Sequence, residues 1–361
     1  MALNLNQQQL TQLRKLCARS EREQRLVPAL LKIIYEKKWF KLFLPKSYKG
    51  LELTLPKALQ YEEELAYVDG SLGWTVTLCA GANLFAGYID HHKAQQIFSS
   101  PKVCLGGSGA VSGLAEETAN GYIVNGHWKY ATGAPHLTHF TANCRITRKG
   151  QPVCNEDGSP LVRSFFFRKE EVSVHADWNT MGLKATAGHS FSIKNLKVRA
   201  DRSFEINENK PVLDQLIYRY PFLPFAEATI GVNTLGMTKH FFELAIATIK
   251  EKQHRLHLPV LEAVLIKIQK AQTEVAALSE KLYAEVDKSW DELKSSGAVT
   301  RPRAKRIGGL CRRLVLVCRK HVAAIYPACG LAATAQDAEL NRAFRDIFTA
   351  SQHGLLTFPR D

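Results

Sequence analysis

Apolar residues recur at two different periods along this chain, and the switch between them divides it into three parts. Up to about residue 100 the spacing is helical. LTQLRKLCARSEREQRLVPALLKIIYEKKWFKLF places an apolar side chain every third or fourth position, and LPKALQYEEELAYVDGSLGWTVTLCAGANLF reads as two helices broken at Asp69 and Gly70. From Lys102 to about Arg202 the texture changes to short β-rich runs bounded by turn residues. GYIVNGHWKYATG, LVRSFFFRKEEVSVHA and HSFSIKNLKVRA predict strands, and Asn125-Gly126 inside the first predicts a hairpin turn. From about Leu216 helical spacing returns, in segments at 225–252, 258–296, 302–329 and 336–356, which predicts a bundle. The expected architecture is α+β and multidomain: an N-terminal α-helical domain (1–100), a central β-barrel or sandwich (101–205) and a C-terminal four-helix bundle (215–361).

Composition agrees with this division. A chain of 361 residues exceeds the length at which one core keeps growing, and 45% apolar with 23% charged residues is ordinary for a globular protein. The start, MALNLNQQQLTQLRKL, lacks a signal-peptide stretch, and no uncharged run is long enough to span a bilayer. A soluble cytoplasmic protein with no membrane partner is expected. The eight cysteines (Cys17, Cys79, Cys104, Cys144, Cys154, Cys311, Cys318, Cys329) form no C-x-x-C pair and meet no His at zinc spacing, so they read as reduced core thiols and no metal is expected.

The formal charge of +14 changes the picture more. Much of the excess lies in TRPRAKRIGGLCRRLVLVCRKH, Thr300 to His321. On a helix beginning near Pro302, Lys305, Arg312, Arg313, Arg319 and Lys320 share the surface with an apolar stripe through Leu310, Leu314, Val317 and Val322. This is either the solvated face of a core helix or an attractor for a phosphate-bearing cofactor or substrate. Nucleic acid ranks last, because base-stacking aromatics are not interleaved.

No P-loop is present, and no G-x-G-x-x-G follows a strand. GGSGAVSG, Gly106 to Gly113, is glycine-rich without a following helix. It reads as a plain loop or as a place where backbone approaches a ligand, with Ser108 and Ser112 as candidate contacts. Near the C-terminus, NRAFRDIFTASQH sets Arg342, Asp346, Thr349 and His353 at i, i+4, i+7 and i+11, one stripe of a helix. Spacing alone makes Arg342 and Asp346 an i,i+4 ion pair and His353 a surface residue.

Four motifs in order resemble the acyl-CoA dehydrogenase superfamily, in particular its flavin-dependent monooxygenase-like branch of two-component hydroxylases and dibenzothiophene monooxygenase. FKLFLPKSYKGLEL followed by EEELAYVDGSLGW resembles the P-x-x-Y-G-G turn, acidic helix and D-x-S-x-G-W, ending at Trp74. NGHWKYATGAPH resembles the G-x-W-x-F-x-S-G hairpin, whose flavin-bonding hydroxyl maps to Thr132. DWNTMGLKATAGHS resembles W-x-x-x-G-x-R-x-T-x-S, which places Trp178 and Thr186 by the ring. PACGLAATAQDAELNRAFRDIFTASQH resembles the closing stretch, with Gly330 near the cofactor in a tetramer.

The resemblance implies FAD or FMN between the β domain and the bundle, with Arg255 near its phosphates, and a homotetramer or homodimer. Main-type acyl-CoA dehydrogenases carry a glutamate base after the Arg-Asp pair. Here no acid follows Asp346 until Asp361, and His353 stands seven residues on, the monooxygenase-like pattern. A neutral imidazole can bond the flavin or take a phenolic proton. The implied reaction is therefore monooxygenation of a small molecule, with flavin reduced by a partner reductase and His353 as acid/base. Dehydrogenation of an acyl thioester is the alternative, and a basic binding protein with a decayed flavin site is a third reading. The chain departs from the pattern at Ala82-Asn83, where relatives carry His-Asn, at Lys184 for Arg, at Gly188 for Ser, followed by His189, and at Leu258, where R-x-x-F loses its aromatic. The tail after His353 is shorter than usual in the branch, which implies a more open or differently closed site.

Overall fold

A computed structural model describes residues 3–251 and 258–357. Ten helices and eight strands are described in it. The first five helices, α1 (Gln7–Glu23), α2 (Pro28–Glu36), α3 (Leu55–Val68), α4 (Gly70–Asn83) and α5 (His91–Phe98), precede all the strands. Local chemistry sets their starts. Asn6 and Gln9 form a reciprocal capping box on α1, and Pro28 opens α2 where its missing N–H costs nothing. Asp69 accepts the Leu72 amide at 3.1 Å, capping α4 at the break read from the sequence.

The strands are β1 (Leu105–Thr118), β2 (Gly121–Ala131), β3 (His139–Arg148), β4 (Gln151–Pro152), β5 (Val162–Arg168), β6 (Ser173–His175), β7 (His189–Arg199) and β8 (Ser203–Phe204). They make one mixed sheet in the order β6-β7-β2-β1-β3-β5-β8, with β4 beside β3. Only β1 and β3 run parallel. Two details differ from the sequence expectations. Asn125-Gly126 is not a turn but the middle of β2, beside a register shift against β7; the β1–β2 hairpin closes instead around Asn120-Gly121. Trp128 is the physical reason: its buried ring would stand 2.4 Å from a Cβ at Gly126, so this glycine makes room for an indole. GGSGAVSG is not a plain loop either. It lies within β1, and the shifts flanking Val111 bulge the strand there.

The remaining helices are α6 (Phe222–Glu251), α7 (Leu258–Ser296), α8 (Arg301–Ile325), α9 (Glu339–Ala350) and the single turn α10 (Gly354–Thr357). Most of helix α6 is buried, packed against α3, α8 and α9, as expected of a largely apolar helix. A large core runs through helices and sheet, and a smaller second cluster around Tyr88, Phe98 and Phe204 packs α5 against the sheet. On α8, Leu314, Val317 and Val322 are buried as expected, but part of the basic excess turns inward. Arg312 meets the buried Glu227 at 2.6 Å, and Arg303 bonds Glu285 and Glu292. Lys305, Arg313 and Lys320 remain exposed. Among the described residues no helix is long and apolar enough to cross a membrane.

Candidate active site

Helix α4, the glycine-rich part of β1, β3 and the start of α6 enclose a cavity of about 230 Å³. Small residues make the hollow. Thr77, Gly81 and Ala82 leave one face of α4 low, and Gly106, Gly107 and Gly109 strip side chains from β1. Phe85, Phe222 and Phe225 supply aromatic walls, while Thr132 and the His353-Leu355 turn complete the lining. The few polar groups are held in place. Asn143 donates to the Gly109 carbonyl at 2.9 Å and accepts from Ser164 at 2.7 Å, and Thr77 accepts from Asn233 at 2.6 Å. An apolar hollow with a few oriented polar groups is the usual form of a small-molecule site.

The structure brings together three of the residues singled out from sequence. Ser108, Thr132 and His353 all line this cavity. Trp74 packs edge-on against the His353 imidazole with ring centres 5.9 Å apart. Ser112 does not join them: it is exposed farther along β1 and donates to the His127 carbonyl, because the bulge turns this part of the strand outward. Trp178 and Thr186 stand outside the lining, and both bond the Leu183 carbonyl, at 3.0 and 2.8 Å. The Thr186 carbonyl then accepts the Gly133 amide at 2.7 Å, so these residues buttress the turn that carries Thr132. Gly330, at φ 74°, ends the turn after α8 and is not a lining residue. Arg255 lies outside the described residues.

The departures from the family pattern have physical accounts. Ala82 faces the cavity, where its short side chain leaves volume. Asn83 points away and ties α4 to the Phe40 carbonyl and the Leu105 amide. Gly188 lies beneath the Trp178 indole, and a Cβ there would stand 3.3 Å from the ring, so a serine would press on it. His189 accepts the Trp178 amide at 3.0 Å, and burial holds its pKa below the ordinary imidazole value, in keeping with a neutral acceptor.

The Arg342-Asp346 pair is corrected. Arg342 bonds Asp69 at 3.0 Å, both side chains being buried, while Asp346 accepts the Leu183 amide at 2.5 Å. Helix α9 is thus fastened to the N-terminal helices by one residue and to the β region by the other. Two glycines admit it: a Cβ at Gly70 would stand 2.7 Å from an Asp346 oxygen, and one at Gly182 would stand 2.2 Å from the Arg345 carbonyl. Burial, with Asp69 nearby, pushes the Asp346 pKa well above the carboxylate range.

Sequence reasoning missed Tyr130. It is 68% exposed, edge-on to Trp178, and held at φ 71°, a backbone state that a bulky residue seldom adopts. Strain of this kind collects at ligand sites, and the signal was the position of Tyr130 two residues before Thr132. The aromatic walls were also missed, since Phe in an apolar helix reads as core.

Residues 228–358 match the family described as acyl-CoA dehydrogenase, C-terminal domain. The chain is 24% identical over 263 residues to indole-3-acetate monooxygenase of Pseudomonas putida, covering 72% of this chain and 66%, just under two thirds, of that protein. It is 22% identical over 367 residues to the oxygenase component of p-hydroxyphenylacetate 3-hydroxylase of Acinetobacter baumannii, covering 96% and 83%. The HsaA monooxygenase from M. tuberculosis shares the fold with a TM-score of 0.87 at 20% identity, covering 96% of this chain and 91% of that one. XiaF from Streptomyces sp., crystallised with FADH2 and glycerol, does so with a TM-score of 0.80 at 22% identity, covering 96% and 88%. Fold and site together define an acyl-CoA dehydrogenase-like scaffold. Residues 228–358 carry the acyl-CoA dehydrogenase C-terminal domain, and the chain as a whole is similar in sequence and fold to flavin-dependent monooxygenases.

Proposed function

We propose that this chain is the oxygenase component of a two-component flavin-dependent monooxygenase acting on a small aromatic molecule. A separate reductase supplies reduced FAD or FMN. One observation carries the reading: no carboxylate lines the cavity among the described residues, and the one titratable side chain on its wall is His353. Removing an α-proton from a thioester calls for a carboxylate base, whereas moving a phenolic or indolic proton suits an imidazole.

The residues present fit a flavin. Gly106 to Gly109 offer a strand edge without bulky side chains, and a Cβ at Gly109 would meet nothing within 4 Å. The Thr132 hydroxyl stands on the cavity wall, and Tyr130 with Trp178 forms an aromatic corner beside it. These groups would hold the ring. When bound, the reduced flavin supplies the two electrons that split dioxygen, one atom going to the substrate and one to water. The chain orients the substrate against Phe222 and Phe225, keeps water from an apolar hollow, and moves the substrate proton at the His353 imidazole. Seven buried free thiols suit a reducing, cytoplasmic setting.

The test supplies reduced flavin, labelled dioxygen, and either indole-3-acetate or p-hydroxyphenylacetate, the compounds in the names of its relatives. Label in a hydroxylated product is expected. Bleaching of protein-bound oxidised flavin by an acyl-CoA without oxygen, and no labelled product, would establish dehydrogenation instead.

A further inference from the structure

Behind the Thr132 turn, on the side away from the cavity, three soft donors converge that the proposed reaction does not use. Cys79 comes from α4, Cys104 directly precedes β1, and His136 follows the turn after β2. Their two sulfurs and one imidazole nitrogen all lie within 4.8 Å of one another. Both cysteines are fully buried, and the His136 Nε2 is buried with the Cys79 thiol as the polar group facing it and no bond within ordinary hydrogen-bond geometry. A buried nitrogen of that kind is costly unless something binds it.

The surroundings are shaped for this convergence. Gly133 has φ 79°, and a Cβ there would stand 2.7 Å from the His136 Nε2 and 3.4 Å from the Cys79 sulfur, so only glycine lets both donors approach the turn. The Phe40 ring lies parallel on the imidazole, 5.5 Å between centres, and fixes its plane. The Thr132 carbonyl oxygen, 3.9 Å from the Cys79 sulfur, offers a fourth donor.

We propose that Cys79, Cys104 and His136 form a binding site for a thiophilic d10 cation, Zn²⁺ in the first place, which staples the N-terminal helices to the sheet behind the Thr132 turn. Two thiolates and a neutral imidazole are a recurrent zinc donor set, and zinc with two thiolates is uncharged overall, which a buried site requires. In a tetrahedral shell the donors lie about 3.5 Å apart, so closing on an ion takes side-chain rotations of an ångström or so. Binding of the ion displaces the protons of both thiols to solvent. A disulfide between the two cysteines would leave the His136 nitrogen still unpaired. No spacing in the sequence reveals this set, since its members are separated by 25 and 32 positions and meet only through the fold.

The experiment reads metal rather than turnover, so its failure is separate from failure of the flavin reading. The full chain, reduced and stripped with a chelator, is titrated with Zn²⁺ and in parallel with Cu⁺ against chromophoric competitors. About one ion per chain is expected, together with a thiolate charge-transfer band when Co²⁺ is substituted and a raised Tm. Cys104→Ser and His136→Ala should each weaken binding by more than about 100-fold, beyond what losing a supporting partner costs. Cys311→Ser, a buried cysteine of α8 outside the cluster, should leave it unchanged. His136→Ala keeps both buried thiols, and cooperative melting shows whether each variant is folded. Preference for Cu⁺ would retain the site and change the ion. No stoichiometric binding by the reduced chain, binding unaltered in both folded variants, or a Cys79–Cys104 disulfide in protein purified without air would overturn the proposal.

Discussion

The two ends of one helical stripe behave differently in this molecule. Arg342 and Asp346, at its start, are 6% and 1% exposed and bond to the N-terminal helices and the β region. His353, eleven residues on, faces the cavity. In sequence the stripe is a single feature with one spacing. In the fold its first half joins three regions and its last residue meets the ligand space. Spacing reports which side chains share a face; only the neighbours report whether that face is a joint or a site.

The halves are nonetheless connected. Asp346 fixes the Leu183 amide, the Leu183 carbonyl takes the Trp178 and Thr186 donors, and Thr186 holds Gly133 beside Thr132. The joint therefore supports the cavity wall through a chain of bonds, while His353 acts on it directly.

The largest effect should come from breaking the joint. Arg342→Met leaves Asp69 buried without its partner, and removal of one member of a buried pair costs about 3–5 kcal/mol. Chemical unfolding should show a loss of that size. A loss under about 1 kcal/mol would mean that the junction is held by packing alone.

The other end should respond in rate rather than stability. His353→Ala is expected to lower kcat for hydroxylation about 100-fold or more, the usual scale for losing a positioned acid/base, with cooperative unfolding retained. Flavin affinity should stay within about twofold of the parent, because the ring is held by other groups. An equal fall in flavin binding and rate would make His353 part of the flavin bed instead.

Comparison of the two ends also shows what was legible beforehand. The period of apolar residues located nearly every long helix, since α3 with α4 and α6 to α9 bury the faces that the pattern marks. Thr132 and His353 could be singled out because motif position sets them on a turn and near a helix end, whereas Ser108 came from a glycine-rich run read as a loop that is strand in the fold. The ion-pair reading failed because burial gives Arg342 and Asp346 better partners across domain boundaries than along one helix. Asn125-Gly126 failed because the space demanded by Trp128 overrides turn preference. Phe85, Phe222 and Phe225 could not be told from core, since an apolar wall and an apolar core have the same composition.

The smallest effect tests whether Asp346 carries a proton in the folded chain. Burial and Asp69 raise its pKa above the unfolded value, so between those two values the folded state holds a proton that the unfolded state releases. Its contribution to stability is complete below the ordinary carboxylate range and is lost as pH rises through the folded value. Glu171, brought to about 2 by Arg202 and Arg168 against the opposing effect of burial, acts in the opposite sense: its contribution is present above the ordinary glutamate value and fades as pH falls toward 2. Asp346→Asn keeps an oxygen for the Leu183 amide and removes only the titration. Near pH 4, where the folded parent is protonated, it should change stability by less than about 1 kcal/mol, far less than Arg342→Met. Relative to the parent it should gain stability as pH rises from about 4 toward neutrality, with the other titrations common to both chains. Urea unfolding of the two proteins across that range measures the difference. A difference independent of pH would mean that Asp346 is ionised throughout, and the first half of the stripe would then be a network of two carboxylates sharing Arg342 rather than one ion pair beside a protonated acid.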